Sequence, residues 1–300
     1  MVIEPAFKGN KRAIVFELSM KFVACFSVCL IALLEHIKQE NKYDIVVLTN
    51  ELRSDVLRTL IKIVKPYPNV RIRFCNPDAV VAPYIQASRH NYFYMCYWKL
   101  AFPDIFSEYS RVLHLGADTL LYRDVHELLE TELDENTYMA GVLDMGYSGL
   151  VRYGEIPADE IGLDSPEHYV NADNLLFNLD VIRRDFSVAD LMAWWEPRHV
   201  RFVEQDAFNA IFKGHIKMLD TKWNVFPDRT LVTRPVLNNR PEIVAEWQEN
   251  IKDPYLVHYA SNPKPWVEPT IGMGTDWWEY ARKSPYYEVL LRDMIRGQQQ

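Results

Sequence analysis

The sequence predicts an α/β fold with a mostly parallel central sheet, helices on both faces and a helical C-terminal extension. Short apolar runs that suit strands alternate along the chain with stretches that suit helices, and this alternation is typical of parallel sheets. Hydrophobic residues make up 49% of the 300 residues and charged residues 25%, as in ordinary globular proteins. After residue 185 prolines, tryptophans and short helical stretches replace clean strands, which indicates the C-terminal extension.

Six segments are predicted as strands from their apolar or alternating pattern. They are residues 13–18, 43–49, 70–75, 111–115, 138–143 and 175–179. Between them we expect a buried helix from Phe22, a helix capped by Ser54 that Pro66 stops, and a helical, aromatic-rich segment over residues 90–108. The uncharged run from Phe22 to Leu34 has 13 residues, whereas a membrane-spanning helix needs about 20. The sequence therefore predicts no transmembrane segment.

Charge and cysteine content limit the possible partners and compartment. The formal net charge of −8 argues against a nucleic-acid partner, which would need a basic face, although a few local cations can still hold an anionic ligand. No zinc spacing or C-x-x-C pair joins the four cysteines, so we expect reduced thiols and a cytoplasmic protein. They are Cys25, Cys29, Cys75 and Cys96. A weak basic end at Arg292 and Arg296 leaves peripheral membrane attachment open.

Polar residues follow several predicted strands at the edge where open parallel sheets bind ligands. Asp118 ends the segment Leu115-Gly116-Ala117-Asp118, directly after the fourth strand. A carboxylate there can hold Mg²⁺ or Mn²⁺, and such an ion bridges a diphosphate and neutralises the charge of the leaving group. The alternative is that Asp118 only caps a turn.

The Asp118 segment resembles the D-x-D strand end of family 8 glycosyltransferases, the retaining group that includes glycogenin and bacterial lipopolysaccharide galactosyl- and glucosyltransferases. Further segments match the family's motifs in the same order. They are residues 169–179 (F-N-A-G-V-L-L-x-N-L in the family), 204–209 (D-Q-D-x-x-N), 223–224 (W-N) and 258–266 (H-F-x-G-x-x-K-P-W), and Trp277-Trp278 before Ser284-Pro285. The similarity covers residues 12 to 290.

The resemblance implies a single GT-A (Rossmann-like) domain over residues 1–300. Residues 12–180 would form the half that binds the nucleotide sugar, and residues 181–290 the acceptor side and C-terminal extension. The implied activity is retaining transfer of a hexose from a nucleotide diphosphate sugar, most simply a UDP-sugar, to a lipopolysaccharide-type glycan or other sugar acceptor. The alternative is a catalytically impaired relative that binds a nucleotide or a glycan, and an unrelated phosphate-binding enzyme is a third reading.

The same resemblance implies roles for individual residues. Mn²⁺ would be held by Asp118 and His258, unless His258 is only structural. The donor would meet Phe16, Ser19, Lys99, Leu115, Gly116, Ala117 and Lys264, with the two lysines on its diphosphate. Lys99 stands where the family has an arginine and grips less firmly as a point charge, or else lies on a solvated helix face.

Four further residues match polar positions around the transferred sugar and the acceptor, unless they only form polar turns at strand ends. They are Asp144, Asn171, Gln205 and Asp206. Two routes to retention stay open. In one, a carboxylate such as Asp206 is the nucleophile of a covalent intermediate; in the other, the leaving phosphate oxygen takes the acceptor's proton during front-face attack.

The chain departs from the family at the places that matter most. Gly116 replaces the first aspartate of D-x-D, and the turn Ser19-Met20-Lys21-Phe22 replaces the acidic turn that contacts uracil and ribose. Asp173 and Ser261 each replace a glycine. Loss of a ligand predicts metal affinity at least about 10–100-fold weaker. As a hypothesis, Asp173 supplies a replacement carboxylate.

Overall fold

The structure is a computed structural model that describes residues 3–85, 95–145, 161–163, 166–195, 202–228, 237 and 240–297. The first half contains β1 (Arg12–Glu17), α1 (Val23–His36), β2 (Tyr43–Leu48), α2 (Ser54–Val64), β3 (Val70–Cys75), α3 (Asp78–Ile85), α4 (Met95–Leu100), α5 (Phe102–Ile105), β4 (Arg111–Leu115), β5 (Thr119–Leu121), α6 (His126–Leu129) and β6 (Met139–Leu143). The second half contains β7 (Val170–Asn178), α7 (Leu179–Asp185), α8 (Val188–Trp195), α9 (Val203–Ile211), β8 (Ile216–Met218), α10 (Pro241–Asn250), β9 (Leu256–His258), α11 (Gly274–Ala281) and α12 (Tyr287–Gly297).

Seven strands form the central sheet in the order β3-β2-β1-β4-β7-β6-β8. Neighbouring strands run parallel except β7, which is antiparallel to both β4 and β6. β2 is buried at all six positions, as expected for a strand covered on both faces. The predicted α/β fold with a mostly parallel sheet is therefore confirmed, and a separate antiparallel pair joins β5 to β9.

Helices cover both faces of the sheet. On one face α1 and α2 pack against β1 and β2 through one apolar cluster that includes Phe26 and Leu60. On the other face α4, α5, α8 and α9 form a second cluster around Trp98 and Phe208. A third cluster joins α1, β5 and β9 to α11 and α12, so the C-terminal helices lie against α1. The predicted C-terminal extension thus packs beside the β5–β9 pair.

Several local predictions need correction. The strand predicted over 175–179 covers Val170–Asn178 and runs antiparallel, which the sequence pattern alone did not indicate. Ser54 is the first residue of α2 and does not cap it; Arg53 occupies the cap position without a side-chain hydrogen bond. Of the segment 90–108, α4 and α5 are helical, whereas residues 86–94 lie outside the described residues.

The apolar run from Phe22 forms α1, which is buried along most of its 14 residues. Contacts with the sheet and with α11 explain this burial. Among the described residues, no helix has both the length and the apolar character that crossing a membrane requires.

Candidate functional site

The loop from Gly116 to Asp118 connects β4 to β5 at the carboxyl edge of the sheet. In the antiparallel pair of β4 and β7, Leu115 lies opposite Asn174, and the next step of the same register places Gly116 opposite Asp173. In the antiparallel pair of β5 and β9, Thr119 lies opposite His258. Strand pairing therefore brings an aspartate to one side of the loop and a histidine to the other.

Asp118, Asp173 and His258 form one cluster, with a ligand atom of each within 4.8 Å of the others. His258 Nε2 is 3.3 Å from Asp118 Oδ1 and 3.5 Å from Asp173 Oδ2. Neither contact has the alignment of a hydrogen bond, although His258 is fully buried. A buried imidazole nitrogen directed between two carboxylates is a donor set that fits a divalent cation. The hypothesis that Asp173 supplies a carboxylate to this site is supported by its position.

The His258 ring is oriented from behind by two asparagines. Its Nδ1 lies 3.0 Å from Asn224 Oδ1, and because an amide oxygen only accepts, Nδ1 donates this hydrogen bond. Asn174 Nδ2 donates to the same oxygen over 2.6 Å. With the proton on Nδ1, the neutral ring presents the lone pair of Nε2 to the two carboxylates, as in metal-binding histidines. Asn224 belongs to the Trp-Asn motif, which thereby gains a role in the site.

The charges of the cluster depend on one another. Burial alone would raise the pKa of Asp118 and Asp173, but His258 and nearby lysines more than offset it and hold both values below the usual range. Burial alone would lower the pKa of His258, but the two carboxylates raise it to about 9. Without a cation, a protonated His258 therefore offsets one of the two negative charges of the aspartates, and a bound cation would replace that proton.

Gly116 and Asp173 compete for one space. A Cβ atom added to Gly116 would lie 3.0 Å from Asp118 Oδ1 and 3.2 Å from Asp173 Cβ, closer than ordinary side-chain contacts. An aspartate at position 116 would therefore crowd Asp173 and Asp118, which would have to shift by a few tenths of an ångström. Glycine at 116 leaves room for the aspartate at 173.

The two predicted phosphate-binding lysines lie on different sides of the cluster. Lys264 Nζ is 2.7 Å from Asp118 Oδ2, and its side chain is 16% exposed, so an entering ligand can reach it. Lys99 is only 2% exposed, so the alternative that placed it on a solvated helix face is wrong. Lys99 Nζ donates to Ala172 O and Glu204 Oε1, both at 3.0 Å, and lies 3.7 Å from Asp173 Oδ1. A contact between Lys99 and donor phosphates stays a prediction.

Three of the four predicted sugar-site residues form a buried hydrogen-bonded group. Asp144 Oδ2 accepts from Asn171 Nδ2 at 3.2 Å and from Gln205 Nε2 at 2.9 Å. Gln205 Oε1 in turn accepts from the Ala172 amide at 2.7 Å. Because Ala172 precedes Asp173, this group is linked directly to the cluster of Asp118, Asp173 and His258.

Asp206 belongs to a different set of contacts. Its Oδ1 accepts from the Tyr169 hydroxyl at 2.6 Å, and its Oδ2 accepts from the Phe202 amide at 3.0 Å. The side chain is fully buried. A nucleophile needs an accessible lone pair, so these contacts favour a structural role for Asp206.

The remaining predicted donor residues divide into core and surface. Phe16 is fully buried with its ring 4.9 Å from that of Phe26, and Leu115 is fully buried as well, so only their backbone atoms are available to a ligand. Ser19 and Ala117 are partly exposed. Ser19 precedes the 3₁₀ turn Met20–Phe22, close to the carboxyl end of β1.

Beneath the cluster lie buried titratable residues that no sequence motif indicated as site residues. Glu17 ends β1, and burial raises its pKa to about 8. His114 Nε2 is 3.9 Å from Glu17 Oε2, and burial lowers the pKa of His114 well below the usual range. Glu204, the first residue of the D-Q-D-like segment, pairs with Lys99. In the sequence, these residues could have been found as titratable residues inside or at the end of an otherwise apolar strand, as at Glu17 and His114.

Comparison with known proteins identifies relatives over most of the chain. The model of the family described as Glycosyl transferase family 8 matches residues 13–270. General stress protein A of Bacillus subtilis (strain 168) is 21% identical over 245 residues, which are 79% of this chain and 80% of that protein.

Solved structures share the fold at low sequence identity. The apo structure of the WbbM bifunctional glycosyltransferase aligns with a TM-score of 0.87 and 22% identity over 98% of this chain, which spans about half (53%) of that longer chain. The galactosyltransferase LgtC, solved with donor and acceptor sugar analogues, gives a TM-score of 0.73 and 19% identity over 91% of this chain and 96% of its own. GlyE of Streptococcus pneumoniae TIGR4 gives 0.64 and 19% identity over 97% of this chain and 64% of its own.

Proposed function

Because this chain belongs to glycosyltransferase family 8, we propose that it is a retaining hexosyltransferase that moves a hexose from a UDP-sugar to a glycan or other sugar acceptor. The observation that carries this proposal is the cluster of Asp118, Asp173 and His258, with Lys264 beside it. The family alone would not distinguish an active enzyme from a decayed one. A complete set of three ligands, despite Gly116, favours the active enzyme.

We propose Mn²⁺ as the cation of this cluster. Two carboxylate oxygens and one imidazole nitrogen fit it, because Mn²⁺ accepts both hard oxygen ligands and imidazole. When bound, the ion would supply positive charge to the leaving diphosphate. Lys264, 2.7 Å from Asp118 and partly exposed, would add a second positive charge next to the same phosphates.

The group of Asp144, Asn171 and Gln205 is our candidate for the site of the transferred sugar and the acceptor. Its hydrogen bonds hold the Asp144 carboxylate in one orientation. Asn171 lies on β7 together with Asp173, and Gln205 accepts a hydrogen bond from Ala172 of the same strand. LgtC, which shares the fold, was solved with donor and acceptor sugar analogues. Because both oxygens of Asp206 are engaged, front-face attack is the favoured route to retention, with the acceptor's proton passing to the leaving phosphate oxygen.

The proposed location of the protein is the cytoplasm. In support of it, the four cysteines are free thiols.

A panel of nucleotide sugars tests the proposal. The protein is incubated with each donor, with sugar acceptors and with either Mn²⁺ or a chelator, and released nucleoside diphosphate is measured. We expect Mn²⁺-dependent release from one donor, and at least about tenfold less release from Asp173→Asn. Asp180→Asn is the matched control, because Asp180 is exposed and, among the residues that the structure describes, forms its ion pair with Arg183 of the same helix, α7.

Donor binding without release, whatever acceptor is present, would contradict the transferase. It would support instead a catalytically impaired protein that binds a nucleotide or a glycan. The anomeric configuration of the product, read by proton NMR, tests retention separately.

A further inference from the structure

A basic pocket opens at the amino edge of the sheet, away from the cluster described above. Its volume is about 620 Å³. Charged residues of its lining are Lys8, Lys11, Arg12, Lys42 and Arg111, with Glu40 as the acidic member. Arg12 and Arg111 begin β1 and β4, whose opposite ends lead to that cluster. A strand of five or six residues separates the two ends by about 17–20 Å, so the basic pocket is a distinct site.

The local backbone explains why so many cations meet here. Gly9 has a φ of +80°, which favours glycine, and the Asn10 amide donates to Phe7 O over 3.0 Å. This turn leaves Lys8 and Lys11 both bordering the pocket. The adjacent parallel strands β1 and β4 therefore begin beside the same group of lysines and arginines.

Arg12 and Arg111 deepen this concentration of charge. They are direct register partners in the parallel pair of β1 and β4, so their side chains leave the sheet on the same side. Two like charges this close repel each other, and both burial and the charge of Arg12 lower the pKa of Arg111. Arg111 Nη1 donates to Thr131 O over 2.8 Å, so its planar group is held in place.

The positive charge of the pocket is only partly neutralised by protein groups. Arg12 pairs with Glu130. Within the described part of the chain, no salt bridge to Lys8, Lys11 or Lys42 is found, and Lys42 instead lies over the Phe7 ring. The protein as a whole carries a formal charge of −8, so the charge of this basic pocket is opposite in sign to that of the whole protein. A concave site lined by one sign of charge concentrates counter-ions of the other sign.

We propose that the basic pocket binds a phosphate-bearing anion, either a free diphosphate or the phosphorylated headgroup of a lipid. Arginine matches the paired oxygens of a phosphate, and lysines at the rim add point charges. The pocket's size suits a small ligand. Such an anion would relieve the repulsion between Arg12 and Arg111. The proposal is independent of the transferase activity.

Calorimetric titration of the full chain with inorganic diphosphate, at low salt and with a chelator, tests the free-anion source. The test variant is Lys8→Gln/Lys11→Gln, which changes two exposed side chains of the pocket. Its matched control is Lys62→Gln/Lys65→Gln, with the same loss of charge at two exposed positions, one in the last turn of α2 and one directly after the helix. We expect the dissociation constant to rise at least about tenfold in the test variant and to stay unchanged in the control. A second variant, Arg111→Gln, should weaken binding at least as much, with thermal melting as a check on folding.

Lys264→Gln separates the basic pocket from the donor site. Under the proposal, Lys264→Gln keeps the diphosphate binding that Lys8→Gln/Lys11→Gln loses, whereas Lys8→Gln/Lys11→Gln releases nucleoside diphosphate from a donor at the wild-type rate. The proposal is overturned if only Lys264→Gln loses diphosphate binding, or if both lysine pairs weaken binding equally.

Co-sedimentation with vesicles tests the lipid source. Phosphatidylglycerol vesicles are compared with phosphatidylcholine vesicles. Binding to the anionic vesicles that falls in Lys8→Gln/Lys11→Gln but not in its control supports a headgroup ligand. Wild-type protein that binds neither diphosphate nor anionic vesicles would refute the site.

Discussion

At the residue scale, the side chain at position 116 limits which side chain fits at position 173, and the reverse also holds. The two positions lie opposite each other where the register of β4 and β7 is continued by one residue, and a Cβ atom on residue 116 would be only 3.2 Å from Asp173 Cβ. Two carboxylates there, in addition to Asp118, would crowd and repel. One carboxylate suffices to complete the set of ligands, and this chain places it on β7.

Exchanging the two residues tests this relation directly. We expect Asp173→Gly to weaken Mn²⁺ binding at least about tenfold through loss of a ligand, and Gly116→Asp to weaken it by crowding Asp173. The double variant should recover most of the affinity, because the carboxylate returns to the same space from the other strand. Calorimetry gives the three dissociation constants. Simple additivity of the two single effects would contradict the exchange.

Metal binding should release a proton. Because the two carboxylates raise the pKa of His258 to about 9, the metal-free protein holds His258 protonated at neutral pH. Affinity for Mn²⁺ should therefore fall about tenfold for each pH unit below 9. Titrations in two buffers with different ionisation enthalpies count the protons released, and a count near zero at pH 7.5 would refute the assignment. The stability of the metal-free fold depends on pH in the opposite direction. Because the folded state raises the pKa of His258, its protonation stabilises the fold at low pH, and this contribution is lost as the pH rises through about 9.

At the scale of elements, α11 supports the strand that carries His258. Trp277 on α11 is 1% exposed and belongs to one apolar cluster with Leu120 of β5 and Val257 of β9. The position of the histidine therefore depends on the packing of the C-terminal extension as well as on its own strand.

Truncation of Trp277 should show this dependence. Trp277→Ala is expected to lower the free energy of unfolding by about 3–5 kcal/mol, and to weaken Mn²⁺ binding because the β5–β9 pair loses its support. Trp277→Phe should cost less on both measures. Val267→Ala, at a side chain that is 44% exposed, is the control and should change stability by about 0.5 kcal/mol at most. If denaturant unfolding finds Trp277→Ala as stable as the control, the extension is not part of this core.

The elements also show how far the sequence alone reaches. Short apolar or alternating segments predicted β1, β2, β3, β4 and β6 to within one residue. β5, β8 and β9 have three residues each, too few for a periodic pattern. The direction of β7 depends on its pairing partners. For the same reason, motifs predicted that Asp118 and His258 belong to the site, whereas only the pairing of β4 with β7 places Asp173 opposite Gly116.

At the scale of the whole molecule, the two predicted halves contribute to one central sheet and one core. The boundary at residue 180 falls within α7, and β8 from the second half pairs with β6 in the central sheet. The largest group of buried side chains likewise joins Val15 of β1 to Phe208 of α9. These contacts cross the boundary in both the sheet and the core.

We therefore expect the chain to unfold as one domain. Far-ultraviolet and near-ultraviolet circular dichroism should report the same denaturant midpoint, because neither half keeps a complete sheet without the other. Addition of Mn²⁺ should raise that midpoint as a single transition. Separate midpoints for the two signals would contradict the single-domain prediction.

The pairing of Gly116 with Asp173 has a consequence for the ancestry of such chains. Read one column at a time, an alignment would count two losses here, a missing aspartate and a missing glycine. Read as a pair, the two columns would instead describe a single carboxylate that occupies the same space from either strand. We expect the two columns to covary among descendants of this lineage, and the intermediate ancestor to have carried either both carboxylates or neither. If the proposed metal site is correct, screens that discard sequences without D-x-D would remove chains that keep three ligands, and a search for the pair would retain them.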